Sequence, residues 1–153
     1  MNEIEQRKIP KYWTEEVRAA ADKAQDFQQL AQVALELAAR LGRGIIIVCG
    51  PVSTGGRGSI PENLRVLNDA VHSFIENGEL VFDQTPFEDV IKRLRAELKD
   101  QNGLRTLEEF YHPLISSDYV TEMRFLPDWQ SSEGAKWEHR LGQSLGKQIT
   151  YLQ

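Results

Sequence analysis

Gly44-Ile45-Ile46-Ile47-Val48-Cys49-Gly50 is an unbroken apolar run, mostly β-branched, closed at each end by glycine. A strand with one wet face alternates polar and apolar residues. A run with no polar position predicts a strand buried on both faces, as in a parallel sheet covered by helices. Downstream, residues 51–61 (PVSTGGRGSIP) can only be loop, and 61–77 carries Leu64, Leu67, Val71, Phe74 and Ile75 at helical spacing before Gly78. Leu80-Val81-Phe82 predicts a short second strand, followed by turn residues 83–86 and a helix over about 87–98. Asn102-Gly103 breaks that helix, 106–115 is helical again, and a third strand covers about 120–126. A helix over 131–145, capped by Gly146, leads to a last strand at 148–152.

This alternation predicts an α/β domain: a Rossmann/flavodoxin-like three-layer fold with a mainly parallel sheet. Ahead of it, residues 13–40 are rich in Ala, Leu, Gln and Glu, with Thr14 as N-cap and Gly42 as terminator, which predicts one added long N-terminal helix. The 153 residues suit a single domain, with a helical extension over 1–43 and an α/β core over 44–153.

Composition narrows the function classes. An apolar fraction of 41% and a charged fraction of 27% are ordinary for a globular protein. The net charge of -5, with Lys and Arg scattered among acids, argues against a nucleic-acid surface. No stretch approaches the length of a membrane span, and MNEIEQRKIPKYW lacks the apolar core of a signal peptide. The single cysteine, Cys49, reads as a buried small hydrophobe in a reducing compartment, so a cytoplasmic protein with no membrane partner is expected. His72, His112 and His139 show no metal-ligand spacing with Cys49 or one another, and no metal or cofactor is expected. No G-x-S-x-G elbow is present.

In open α/β sheets ligands bind beyond the carboxyl ends of the strands, which directs attention to the loops 50–61, 83–86 and 127–132. The first matches neither standard phosphate-loop pattern; its glycines serve either an anion cradle or a tight turn, and Arg57 either neutralises an anion or is solvated. In the last helix Gly134, Ala135, Glu138, Leu141, Gly142 and Leu145 share one face. A carboxylate centred on an apolar face with small neighbours faces a cleft, or else is a structural charge paired with an arginine. On the first reading, its nearness to the helix N-terminus is expected to keep it ionised and nucleophilic. Trp129 and Trp137 either stack on a base or belong to the core.

Three stretches carry a resemblance to a known family: Val48-Cys49-Gly50-Pro51 opening a glycine-rich loop; Gly78 to Phe82 with Asp83-Gln84 behind it; and Leu126-Pro127-Asp128-Trp129 running into Ser132-Glu133-Gly134-Ala135-Lys136-Trp137-Glu138. Over roughly 44–152 the chain resembles the nucleoside 2-deoxyribosyltransferase superfamily, nearest to its nucleoside 5'-monophosphate N-glycosidase branch and to relatives sharing an L-P-x-W-x-x-S-x-G-A-x-x-E pattern. The resemblance implies an enzyme in which Glu138 attacks the anomeric carbon, expels the base and forms a glycosyl-enzyme that water or a second base resolves. It implies a hydrolase for nucleoside or deoxynucleoside 5'-monophosphates, because position 132 is serine rather than the aspartate of the nucleoside transferases. A hydroxyl beside a helix N-terminus and Gly134 can bind a phosphate that an aspartate would repel.

By the same resemblance Gly50, Pro51, Arg57, Asp83, Gln84, Phe87, Trp129, Ser132 and Gly134 are substrate-binding candidates, and a homodimer or higher homo-oligomer is implied. A nucleoside 2-deoxyribosyltransferase and a non-catalytic nucleotide-binding sensor are the alternatives. The general acid has no clear counterpart, since Glu109 and Asp118 do not register with the family's sugar-orienting aspartate.

Overall fold

In the computed structural model, which describes residues 7–153, the Ile45–Cys49 strand (β1) is buried at every position. Ile45, Ile47 and Cys49 enter one apolar cluster, Ile46 and Val48 another. Alternate side chains thus fill both faces of the sheet, each fully buried Ile or Val contributing about 1.5–3 kcal/mol relative to exposure. β1 pairs in parallel with β2 (Val120–Phe125), and β2 pairs in parallel with β3 (Gln148–Tyr151).

On the other side of β1 the expected strand at 80–82 is reduced to a single parallel bridge between Ile46 and Val81. Its outer edge is closed by a side chain. The Tyr12 hydroxyl donates to the Val81 carbonyl (2.7 Å) and accepts from the Asp83 N–H (2.7 Å), after which the chain coils into a tight turn at Thr85–Phe87. The spatial order is therefore the Val81 segment, β1, β2, β3.

The single long helix expected over 13–40 is instead two helices, α1 (Glu15–Asp22) and α2 (Phe27–Leu41). Asp26 is the physical reason: its backbone is extended and its carboxylate accepts the Gln29 N–H (2.8 Å), so it caps a new helix rather than continuing the old one. Thr14 caps α1 as the sequence predicts. α3 (Ile60–Glu76) covers one face of the sheet through Leu67 and Val71. α2, α4 (Glu88–Glu97), a wide π-helical turn (Thr106–Tyr111), α5 (His112–Ser116) and α6 (Glu133–Leu145) pack into the cluster on the other. The result is three-layered α/β. Among the described residues no helix is long and apolar enough to cross a membrane.

α6 sits on β2 through Gly142, where a Cβ would meet Met123 Sδ at 2.5 Å. Replacing Gly142 by valine is therefore expected to lift the helix and lower the denaturant midpoint by the equivalent of about 1–3 kcal/mol. An unchanged midpoint would show that α6 is not seated this closely.

Candidate functional site

The chain leaves β1 for the Val81 edge and then returns across β1 to reach β2. The helix after β1 covers one face and the helix after β2 the other. The carboxyl ends of β1 and β2 thus form a topological switch point, where a crevice opens between diverging connections. Two loops meet there. The Gly56 N–H donates to Ser131 Oγ (2.8 Å) and the Glu133 N–H to Thr54 Oγ1 (2.9 Å). Gly55, at φ +69°, lies so close to the Ser131 backbone that a side chain could not fit. Asn63 of α3 staples the loop from below by donating to the Val52 and Gly55 carbonyls and accepting the Arg57 N–H.

A cavity of about 270 Å³ opens at this junction, lined by Gly50, Gln84, Ser132, Gly134 and Glu138 among the residues that the sequence nominates. Ser132 is nearly fully buried and caps α6, its Oγ accepting the Ala135 N–H (3.1 Å), which leaves the hydroxyl proton available to a ligand. Gly134 follows in the first turn, where N–H groups have no intrahelical acceptor. Gln84 is fixed in orientation: its Nε2 donates to the Val48 carbonyl (2.7 Å), so Oε1 points the other way. That oxygen is buried and has no hydrogen-bond partner among the described residues. A buried acceptor left unpaired costs about 1–3 kcal/mol, which a ligand N–H or O–H would recover.

The remaining candidates lie elsewhere. Arg57 is exposed and does not line the cavity, and its charge acts on Glu62; the cations that line the cavity are Arg95 and Arg140. Pro51 is buried against Gly56. Asp83 is buried in a structural network, accepting from the Thr85 N–H (2.9 Å) and hydroxyl (2.7 Å) and contacting His72 Nε2 at 2.7 Å. Phe87 is wholly buried among Trp13, Phe82 and Phe110. Trp129 stacks on His139, ring centroids 4.2 Å apart, beside Tyr151 rather than in the cavity.

Glu138 lies on the buried face of α6, 7% exposed, with Ala135 and Gly142. The Cys49 thiol at the end of β1 lies near enough to its carboxyl for each to shift the other's proton affinity. Burial pushes Glu138 up to about 8, against the pull of the Cys49 thiol and with a further push from the negative charge of Glu88. Burial thus opposes the ionised state that nearness to the helix N-terminus is expected to favour. The dipole acts within the first turn, whereas Glu138 is in the second, and desolvation outweighs what reaches it.

Three further groups in this cluster carry no periodic signal in the sequence. Glu88 opens α4, where an acid looks like an ordinary helix-start residue, yet its side chain lines the same cavity. Burial pushes it up to about 7, opposed by hydrogen bonding from Tyr111 and by the charges of Arg7 and Arg95. The Tyr111 hydroxyl donates to Glu88 Oε1 (3.0 Å). Cys49, read from the sequence as a plain hydrophobe, acts on the proton affinity of Glu138. Beside this site a larger groove of about 1120 Å³ runs between α3 and α4, sharing Glu88 and Arg95 with it.

A carboxyl held above its ordinary 4.5 stabilises the fold at low pH and loses that contribution as pH rises through its folded value. Glu138→Gln is therefore expected to match the wild type near pH 5 and to exceed it above pH 8 by roughly 1–3 kcal/mol in chemical denaturation. A constant difference across that range would mean that Glu138 is not a buried neutral acid.

A family model with the description Domain of unknown function (DUF4406) matches residues 67–151, more than half of the chain, including Gln84, Glu88, Tyr111, Ser132 and Glu138. No curated protein and no solved structure matches the chain. The chain belongs to the family described as Domain of unknown function (DUF4406), whose matched segment carries most of the side chains around the cavity but not β1 or its glycine-rich loop.

Proposed function

We propose that this protein cleaves the N-glycosidic bond of a nucleoside 5'-monophosphate, with Glu138 as nucleophile, releasing a free base and a sugar phosphate. The observation that carries the reading is the placement of one buried carboxyl, Glu138, in the same small cavity as the capped N-terminus of its own helix. An anion at that N-terminus meets the Ser132 hydroxyl and the Gly134 N–H, while Arg95 and Arg140 supply positive charge from the cavity lining. Glu138 lies a turn and a half further along the helix, about 9 Å at the helical rise, which suits the span from a 5'-phosphate to the anomeric carbon of one pentose.

In the chemical step a Glu138 oxygen attacks the anomeric carbon as the bond to the base nitrogen breaks. The carboxylate stabilises the cationic, oxocarbenium-like transition state before trapping the sugar. Water then attacks the same carbon, displaces Glu138 and completes hydrolysis. The oriented Gln84 carbonyl oxygen accepts from an N–H on the base, which favours bases that present an amino or imino donor there.

Incubation with a panel of nucleoside and deoxynucleoside 5'-monophosphates, with free base followed by chromatography, tests this reading. Base release is expected from at least one nucleotide, with a loss of about 10³-fold or more in Glu138→Ala. Ser132→Asp is expected to weaken action on nucleotides and favour the unphosphorylated nucleoside. Adding a second free base separates transfer from hydrolysis, since a transferase forms a new nucleotide. No release from any nucleotide, or undiminished release by Glu138→Ala, would contradict the proposal.

A further inference from the structure

We propose that Glu88, held by the Tyr111 hydroxyl on the cavity wall, is the acid that protonates the departing base and then the base that activates the attacking water. The inference rests on the N-glycosidase reading and supplies its missing proton donor.

Glu88 and Glu138 come from different helices, α4 and α6, and line one cavity. The charge of one raises the proton affinity of the other, so they lie within electrostatic reach. The Tyr111 hydroxyl orients Glu88 by donating to its Oε1 at 3.0 Å, and the Cys49 thiol lies near Glu138. The groups facing Glu138 are Cys49, Tyr111 and Glu88; those facing Glu88 are Tyr111, Asp89 and the cations Arg7 and Arg95. Burial raises both carboxyls, and two such groups close together retain a proton where isolated surface acids would retain none. The pair therefore retains a proton to higher pH than surface carboxylates do. The reactive arrangement is the one that places it on Glu88.

The protons balance over two steps. In the first, the Glu138 carboxylate forms a bond to the anomeric carbon, the carbon–nitrogen bond breaks with its electron pair going to the base, and the Glu88 proton passes to that nitrogen. In the second, the Glu88 carboxylate takes a proton from water as the water oxygen bonds to the anomeric carbon, and the bond to Glu138 breaks to restore its carboxylate. The pair ends as it began.

Two nucleotides of the same sugar distinguish this role. A base methylated at N7 of a purine carries a positive charge and departs as a neutral molecule, so it needs no proton donor; the unmodified purine does. Glu88→Gln, which is nearly isosteric, is expected to slow release of the unmodified base by about 10²–10⁴-fold. On the N7-methylated nucleotide it is expected to release base in a rapid burst of one equivalent per site, followed by slow turnover, because the second step still lacks its base. Glu138→Gln is expected to abolish release from both. In the wild type kcat/KM is expected to be bell-shaped in pH with the unmodified nucleotide. Glu88→Gln should remove the falling limb, and Tyr111→Phe should move that limb to higher pH because the lost hydrogen bond favours the ionised form of Glu88.

Equal slowing on both nucleotides without a burst, or no slowing on either, would overturn the role of Glu88 while leaving that of Glu138 intact. Absence of base release by the wild type from every 5'-monophosphate of the panel, the N7-methylated one included, would instead overturn the N-glycosidase reading and this inference with it.

Discussion

Burial of a single carboxyl at the end of β1 is the constraint around which the site is arranged. Glu138 is carried by α6, whose position is fixed by Gly142 against Met123 of β2, and it lies near a thiol on β1. Both strands are held by the parallel ladder between residues 45–49 and 120–125. The carboxyl is thus aimed by backbone geometry rather than by a counter-ion, and no salt bridge to it occurs among the described residues. Desolvation of such a group outweighs a helix-terminus effect of about 0.3–1 kcal/mol, which explains its upward shift. A site that pays this cost in stability retains a group whose protonation can change when substrate arrives.

The layered fold was legible because burial leaves periodic marks. The unbroken run 44–50 reports a strand with two covered faces, and Leu64, Leu67 and Val71 report the helix that covers one of them. The shortfalls came where one polar side chain decides the outcome. Asp26 divides the N-terminal helix in two because an Asp with extended backbone caps better than it propagates. Tyr12 closes the Val81 edge with its hydroxyl, a long-range contact that no local pattern announces.

The site was legible to the extent that it lies along one helix. Ser132, Gly134 and Glu138 are related by helical spacing, so one geometry fixes all three. Gly50 and Gln84 follow from the rule that places ligands at strand ends. Asp83 and Phe87 stand at a strand end too, but their side chains turn into the interior, where His72 and three aromatic rings receive them. Arg57 belongs to a loop whose backbone Asn63 holds, and its side chain is exposed rather than in the cavity. Glu88, Tyr111 and Cys49 were illegible as site residues for a common reason: Glu88 and Tyr111 reach the cavity, and Cys49 lies behind Glu138, each from a separate element, so their proximity is a property of the folded sheet.

The central claim is that Glu138 forms a covalent bond to the sugar. A nucleoside 5'-monophosphate bearing fluorine at the 2' position of an arabino-configured sugar destabilises the cationic transition state and prolongs the life of a glycosyl-enzyme. Mass spectrometry of the protein after incubation with it, followed by peptide mapping, measures the bond directly. The account predicts a gain of one fluorinated sugar phosphate on the peptide containing Glu138, absent in Glu138→Gln. Turnover with no adduct on Glu138, or an adduct on another residue, would contradict it.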